Sequence, residues 1–174
     1  MRMSMMQLSP HLDHPLPQVE RLTVEAREDD GVLSLRYRLR GDLDALTLPA
    51  FTAPRREDRL WRSTCFEIFL RHNATAYREY NFAPDGRWSA YRFASYRHAR
   101  SNLANQVRIA AGRDGEDYVL SAILIGQPIV GHRVGLSAIV EATDGTKGYF
   151  ALAHPPGAAD FHHDDCFAIL GEEI

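Results

Sequence analysis

Short runs in which apolar and polar residues alternate recur along the chain, divided by turn residues. This period of two constrains the fold more than any other feature. In "VERLTVEARE", Leu22, Val24 and Ala26 alternate with Arg21, Thr23 and Glu25; in "VLSLRYRLR", Leu33, Leu35, Tyr37 and Leu39 alternate with Ser34, Arg36 and Arg38. The turn signal Asp29–Gly31 between them predicts a hairpin with its Arg-rich side in water. "STCFEIFLR" carries Phe66, Ile68 and Leu70 on one face and Cys65, Glu67 and Phe69 on the other, which predicts a central strand covered on both sides. "YREYNFAPDGRWSAYRF" places two aromatic runs around Pro84-Asp85-Gly86, the chemistry of a tight hairpin turn. "VRIAAG", "DYVLSAILI", "RVGLSAIVE", "KGYFALA" and "CFAIL" are further strands, and "YRHARSNLANQ" could hold a short helical turn. About ten strands and no long helix predict an all-β, antiparallel two-sheet β-sandwich, immunoglobulin-like or jelly-roll-like.

At 174 residues the chain suits one domain, 1–174. A net charge of -3 argues against a nucleic-acid footprint, and no segment approaches the roughly 20 apolar residues of a membrane-spanning helix. The Met-rich start "MRMSMMQLSP" lacks the apolar core of a secretion signal and reads as a frayed end. Cys65 and Cys166 form no CxxC pair and read as buried free thiols. The expectation is a cytoplasmic protein without nucleic-acid or membrane partners.

Three motifs, "LWRSTCFEIFLR", "YREYNFAPDGRWSAYRFASYR" and "GYFALAHPPGAADFHHDDCF", resemble the DOMON-like superfamily, within it a bacterial subgroup. These β-sandwich ligand-binding domains are related to family 9 carbohydrate-binding modules. The resemblance implies a concave sheet face suited to a small ligand, without fixing a chemistry.

A sugar site needs aromatic faces beside carboxylates, amides or guanidinium groups. Glu67, Glu79, Asn81 and Arg92, polar residues amid apolar strand neighbours, are the candidate ligand-binding residues, together with Trp88 and Tyr91. Trp61 and Trp88 have a second reading, as plugs in the core or at a sheet end. Between Gly86 and Arg113 six Arg (Arg87, Arg92, Arg97, Arg100, Arg108 and Arg113) occur without one Asp or Glu. Some of them could form an anion-binding patch.

The segment "HPPGAADFHHDDCF" looks metal-like, with His154, Asp160, His162 and His163 as candidate ligands. Adjacent histidines on an extended backbone point apart, and no spacing matches a ligand signature. A polar loop leading into the closing strand is the reading adopted. A haem-binding branch within the resembled superfamily uses Met and His axial ligands. Here all four Met lie in the first six residues, and a bis-His alternative would take His154 with His72 or His132. No cofactor is therefore expected, a structural metal being the one reserve.

Paired carboxylates raise a catalytic alternative, a glycan-processing enzyme using two of Glu67, Glu79 and Glu141. No nucleophile, zinc or phosphate-loop motif accompanies them. The sequence thus predicts a non-catalytic domain for a small molecule, a sugar or sugar derivative; glycan processing, haem binding and protein interaction are the alternatives. Oligomeric state is left open.

Overall fold

The computed structural model describes residues 2–71, 73–104, 107–127 and 132–169. Its strands are β1 Arg2–Pro10, β2 Val19–Asp29, β3 Val32–Gly41, β4 Arg55–Arg56, β5 Cys65–Arg71, β6 Tyr77–Phe82, β7 Arg87–Phe93, β8 Ser101–Asn102, β9 Val107–Asp114, β10 Asp117–Ile125, β11 Arg133–Glu141, β12 Lys147–Ala151 and β13 Ala168–Ile169. Among the described residues there is no α-helix, only single 3-10 turns at Leu43–Ala45, Leu60–Arg62 and Asp164–Cys166. None of these is long and apolar enough to cross a membrane.

The strands follow one hydrogen-bonded path, β4-β7-β6-β5-β11-β12-β1-β2-β3-β10-β9, with β8 beside β7 and β13 beside β11. The path curls, so that β3 packs against β5: the Tyr37 hydroxyl donates to the Glu67 carbonyl at 2.7 Å, and the Tyr37 and Phe66 rings lie 5.2 Å apart. Leu33, Leu35 and Leu39 from one wing meet Phe66, Ile68, Leu70, Tyr80 and Leu136 from the other in the main core. Burial of such side chains supplies most of the stabilisation, roughly 1.5–3 kcal/mol each.

Three expectations change. The N-terminus is a strand: β1 pairs Arg2–Leu8 with β2 and Ser9–Pro10 with β12, and thereby joins the two wings. Pairing with β2 satisfies one edge of its backbone along Arg2–Leu8, and Leu8 anchors it in the core. The sheet is mixed, because β4 runs parallel to β7 through Arg55↔Arg87 and Arg56↔Trp88. The helical turn in "YRHARSNLANQ" is replaced, among the described residues, by a Ser95↔His98 bridge and β8. Arg97 and Ala99 there take positive φ of 52° each, which a helix excludes.

The two hairpins have the expected turns. Asp30 and Gly31 adopt φ of 48° and 73° between β2 and β3. Gly86 adopts φ 99° between β6 and β7, where a Cβ would stand 2.5 Å from the Ala53 carbonyl oxygen. Only glycine fits there. As expected of a central strand, β5 is buried from Cys65 to Leu70.

Candidate functional site

Alternation on β5, β6, β7, β11 and β12 sends even-numbered side chains such as Phe66, Tyr80, Ala90 and Leu136 into the main core. Odd-numbered ones point to the opposite face. On that second face strand register builds a polar row, Ser137–Glu67–Asn81–Ser89, crossing β11, β5, β6 and β7. The next row sets Phe69, Glu79 and Tyr91 side by side. Phe69, Tyr77, Phe93, Ile139 and Phe161 form an apolar cluster beside these rows.

A cavity of about 390 Å³ opens on this face. Glu67 and Glu79 reach it from the sheet; Trp61, Phe93, Ile139, Tyr149 and Phe161 give it apolar surfaces. Arg97, Arg100, Asp160 and His162 line it from the loops. Its volume lies within the range of small-ligand pockets, roughly 300–1,000 Å³.

Both carboxyl groups are buried, Glu67 at 3% and Glu79 at 4% exposure. Ser137 Oγ donates to Glu67 Oε2 at 3.2 Å, and Asn81 Nδ2 donates to Glu79 Oε1 at 2.7 Å. Burial first, and the Glu79 charge second, push Glu67 up to about 8. Burial likewise raises Glu79 to about 7, against the opposing pull of the Asn81 hydrogen bond and of Arg100 and Arg97. Both are raised toward neutral pH, where the pair is only partly ionised.

His162 stands next to this pair. The Arg97 backbone N–H donates to the Tyr77 hydroxyl oxygen at 3.1 Å, and that oxygen lies 2.7 Å from His162 Nδ1. The hydroxyl thus ties the loop backbone at Arg97 to the His162 ring. Nε2 is 3.8 Å from Glu79 Oε2. Burial, then the Arg97 charge, push His162 down to about 4, so the ring is neutral at physiological pH.

Asp160 accepts from Arg97 at 2.8 Å, from the Tyr96 hydroxyl and from the His162 backbone N–H at 3.1 Å. Burial would raise it, but the Tyr96 and Arg97 hydrogen bonds prevail and hold it below the usual carboxylate range. Tyr91 donates to Asp58 Oδ1 at 2.7 Å, and the Arg100 guanidinium lies over its ring at 4.8 Å.

Of the six candidate ligand-binding residues, Glu67 and Glu79 line the cavity, and Asn81 and Tyr91 share its face. Trp88 and Arg92 do not: both are even-numbered on β7, so Trp88 packs against the main core and Arg92 is exposed on that side. The aromatic residues in the cavity are instead Trp61, Phe93, Tyr149 and Phe161. Of the Arg run, Arg97 and Arg100 reach the site, whereas Arg87 pairs with Asp85 and Glu57, and Arg113 with Asp44. Glu141 is not among the residues lining the cavity.

The metal candidates have separate partners. His154 Nε2 lies 2.8 Å from the Ser9 carbonyl, and His163 Nδ1 accepts from the Asp165 N–H at 3.2 Å; Asp160 and His162 are engaged as described. Among the described residues no group of three or more His, Cys, Asp or Glu side chains is placed to hold a metal ion. Of the axial-ligand candidates, His72 lies outside the described residues. Met3 and Met5 are exposed on β1.

No protein-family model and no curated protein matches the sequence. Two solved structures are similar in fold. One is a protein from Bacteroides uniformis ATCC 8492, provisionally described as carbohydrate-binding: TM-score 0.70, 14% identity, over 95% of this chain and 84% of that one. The other is a family 9 carbohydrate-binding module from Caldicellulosiruptor kristjanssonii in complex with cellotriose: TM-score 0.45, 15% identity, over 82% and 70%. The first likeness shows the fold alone: this chain is an all-β protein with the architecture of that structure.

Proposed function

We propose that this chain is a DOMON-like domain whose two wings act as the sheets of a sandwich, and that it binds a sugar or sugar derivative in the cavity on the outer face of one wing. The observation that carries the reading is the combination inside one ligand-sized space of apolar ring surfaces with a buried pair of carboxyl groups. Ring C–H groups pack on Trp61, Tyr149 and Phe161. Hydroxyl groups find both a donor and acceptors in the partly protonated Glu67/Glu79 pair. The fold likeness to a protein provisionally described as carbohydrate-binding supports the same reading.

The test is a titration of the protein with mono- and disaccharides, followed by calorimetry and by the indole N–H resonance of Trp61. Ala159→Trp, which fills the cavity from its wall, abolishes binding without unfolding the protein. Saccharide binding that survives this substitution places the site elsewhere.

A second reading is favoured by the raised pair itself. A neutral carboxyl beside a carboxylate can protonate a glycosidic oxygen while the partner takes a proton from an attacking water, which cleaves the C–O bond by hydrolysis. Release of reducing ends from oligosaccharides, lost in both Glu67→Gln and Glu79→Gln, would establish it. Binding without turnover leaves the non-catalytic reading.

A further inference from the structure

The charges that line the cavity do not all have partners within the protein. Asp160 is taken by Arg97, Tyr96 and the His162 backbone. Arg97 is thereby engaged, and Glu67 and Glu79 hold Ser137 and Asn81. Arg100 differs: it lines the cavity and makes no ion pair with any described residue, acting on Glu79 and Asp58 only from beyond ion-pair reach.

Its position is nevertheless defined. The guanidinium lies 4.8 Å from the centre of the Tyr91 ring, a cation–π contact, and Arg56 contacts the same ring at 5.7 Å. Tyr91 is itself buried and tied by its hydroxyl to Asp58. A guanidinium laid on a fixed ring keeps its N–H edge free for a bidentate acceptor, with less entropy left to lose.

We propose that the ligand carries one carboxylate and that Arg100 binds it: the site takes a sugar acid of the hexuronate class, its carboxylate on Arg100 and its hydroxyls on the carboxyl-lined floor. This rests on the sugar-binding reading above. The count of charges selects carboxylate over phosphate. One guanidinium without an ion pair takes one carboxylate, whereas a phosphate brings about 1.5 to 2 negative charges. The surplus would face Asp160 and the Glu67/Glu79 pair across a cavity of about 390 Å³.

The experiment compares matched ligands by calorimetry at low and at high salt: D-glucuronate with D-glucose, D-galacturonate with D-galactose, and D-glucose 6-phosphate. At least one uronate should bind about tenfold more tightly than its parent hexose, the range of one charge-assisted contact, with the gap narrowing at high salt. Arg100→Gln should bring that uronate down to the hexose affinity and leave the hexose within about twofold. Arg108→Gln, on the exposed edge strand, should change neither, and equal melting temperatures exclude a folding defect in either variant.

Hexoses binding as tightly as uronates would overturn the sugar-acid inference while the sugar reading stands. Tighter binding of the phosphate would overturn the charge count. A uronate preference that survives Arg100→Gln would remove Arg100 from the role. Absence of binding by all five probes would remove the sugar reading, and this inference with it.

Discussion

The carboxyl pair makes stability depend on pH in a direction opposite to that of most acidic groups. Glu67 moves from an ordinary value of 4.5 to about 8, which corresponds to roughly 5 kcal/mol against its ionisation inside the fold. A carboxyl whose folded value is raised contributes its stability in full below the unfolded value, and loses it as pH rises through the folded one. His162 works against this at lower pH. Its value falls from 6.5 to about 4, so below pH 6.5 the unfolded chain takes up the proton first and stability declines. Between about pH 4.5 and 6.5 the two effects oppose each other, and above that only the carboxyl pair acts.

Wild-type stability should therefore fall by about 2–3 kcal/mol between about pH 6.5 and 8.5 as the pair titrates. Glu67→Gln keeps the shape of the protonated acid and its acceptor toward Ser137, and should flatten the slope over that window. Urea unfolding followed by Trp fluorescence across the pH series measures both slopes. A flat wild-type profile would refute the reasoning. So would a Glu67→Gln profile parallel to wild type at a constant offset, because the slope would then belong to other groups.

Gly86→Ala forces a Cβ to within 2.5 Å of the Ala53 carbonyl oxygen at φ 99°. It should cost about 2–4 kcal/mol in urea unfolding, as strained turn positions do. Tyr77→Phe strands the Arg97 N–H and His162 Nδ1, and should cost about 1–3 kcal/mol. In the same variant, nitrogen NMR of His162 should show a shifted Nδ1 resonance, its hydrogen-bond partner being gone. Asp117 is held below the usual carboxylate range by hydrogen bonds from Arg40 and then Arg38, each at 2.6 Å. Asp117→Asn should lower the melting temperature near neutral pH, and the difference from wild type should vanish once acid protonates Asp117 in both the unfolded and the folded state.

The fold was legible where local chemistry decides it. Alternation placed β2, β3, β5 and β10, and turn residues placed both hairpins. What escaped depends on partners distant in sequence. The Met-rich β1 carries little alternation, and it is a strand because β2 and β12 offer it edges on both sides. The two-residue β4 and β8 exist only beside β7. Within the site, strand parity could have done more: Glu67, Glu79, Asn81 and Tyr91 share one face, and the same rule sends Trp88 and Arg92 to the other. Arg97 and Arg100 showed only as part of an acid-free Arg run, because the turn that brings them to the cavity has no sequence period.

The segment from His154 to Phe167 shows why composition alone misleads about a site. Its His and Asp side chains have the donors of a metal centre, yet most are drawn to separate parts of the fold. His154 goes to Ser9 on β1, Asp160 to Arg97, His162 to Tyr77 on β6, and Asp164 to Arg133 on β11 and Arg71 on β5. Such dispersed bonds fix a loop by several points along its length, which is what a cavity wall without secondary structure requires. The polar residues are there to hold Ala159, Phe161 and the imidazole of His162 against the cavity. The neutral ring then faces Glu79 without adding a second cation, which leaves Arg100 as the one lining cation that no described carboxylate pairs with.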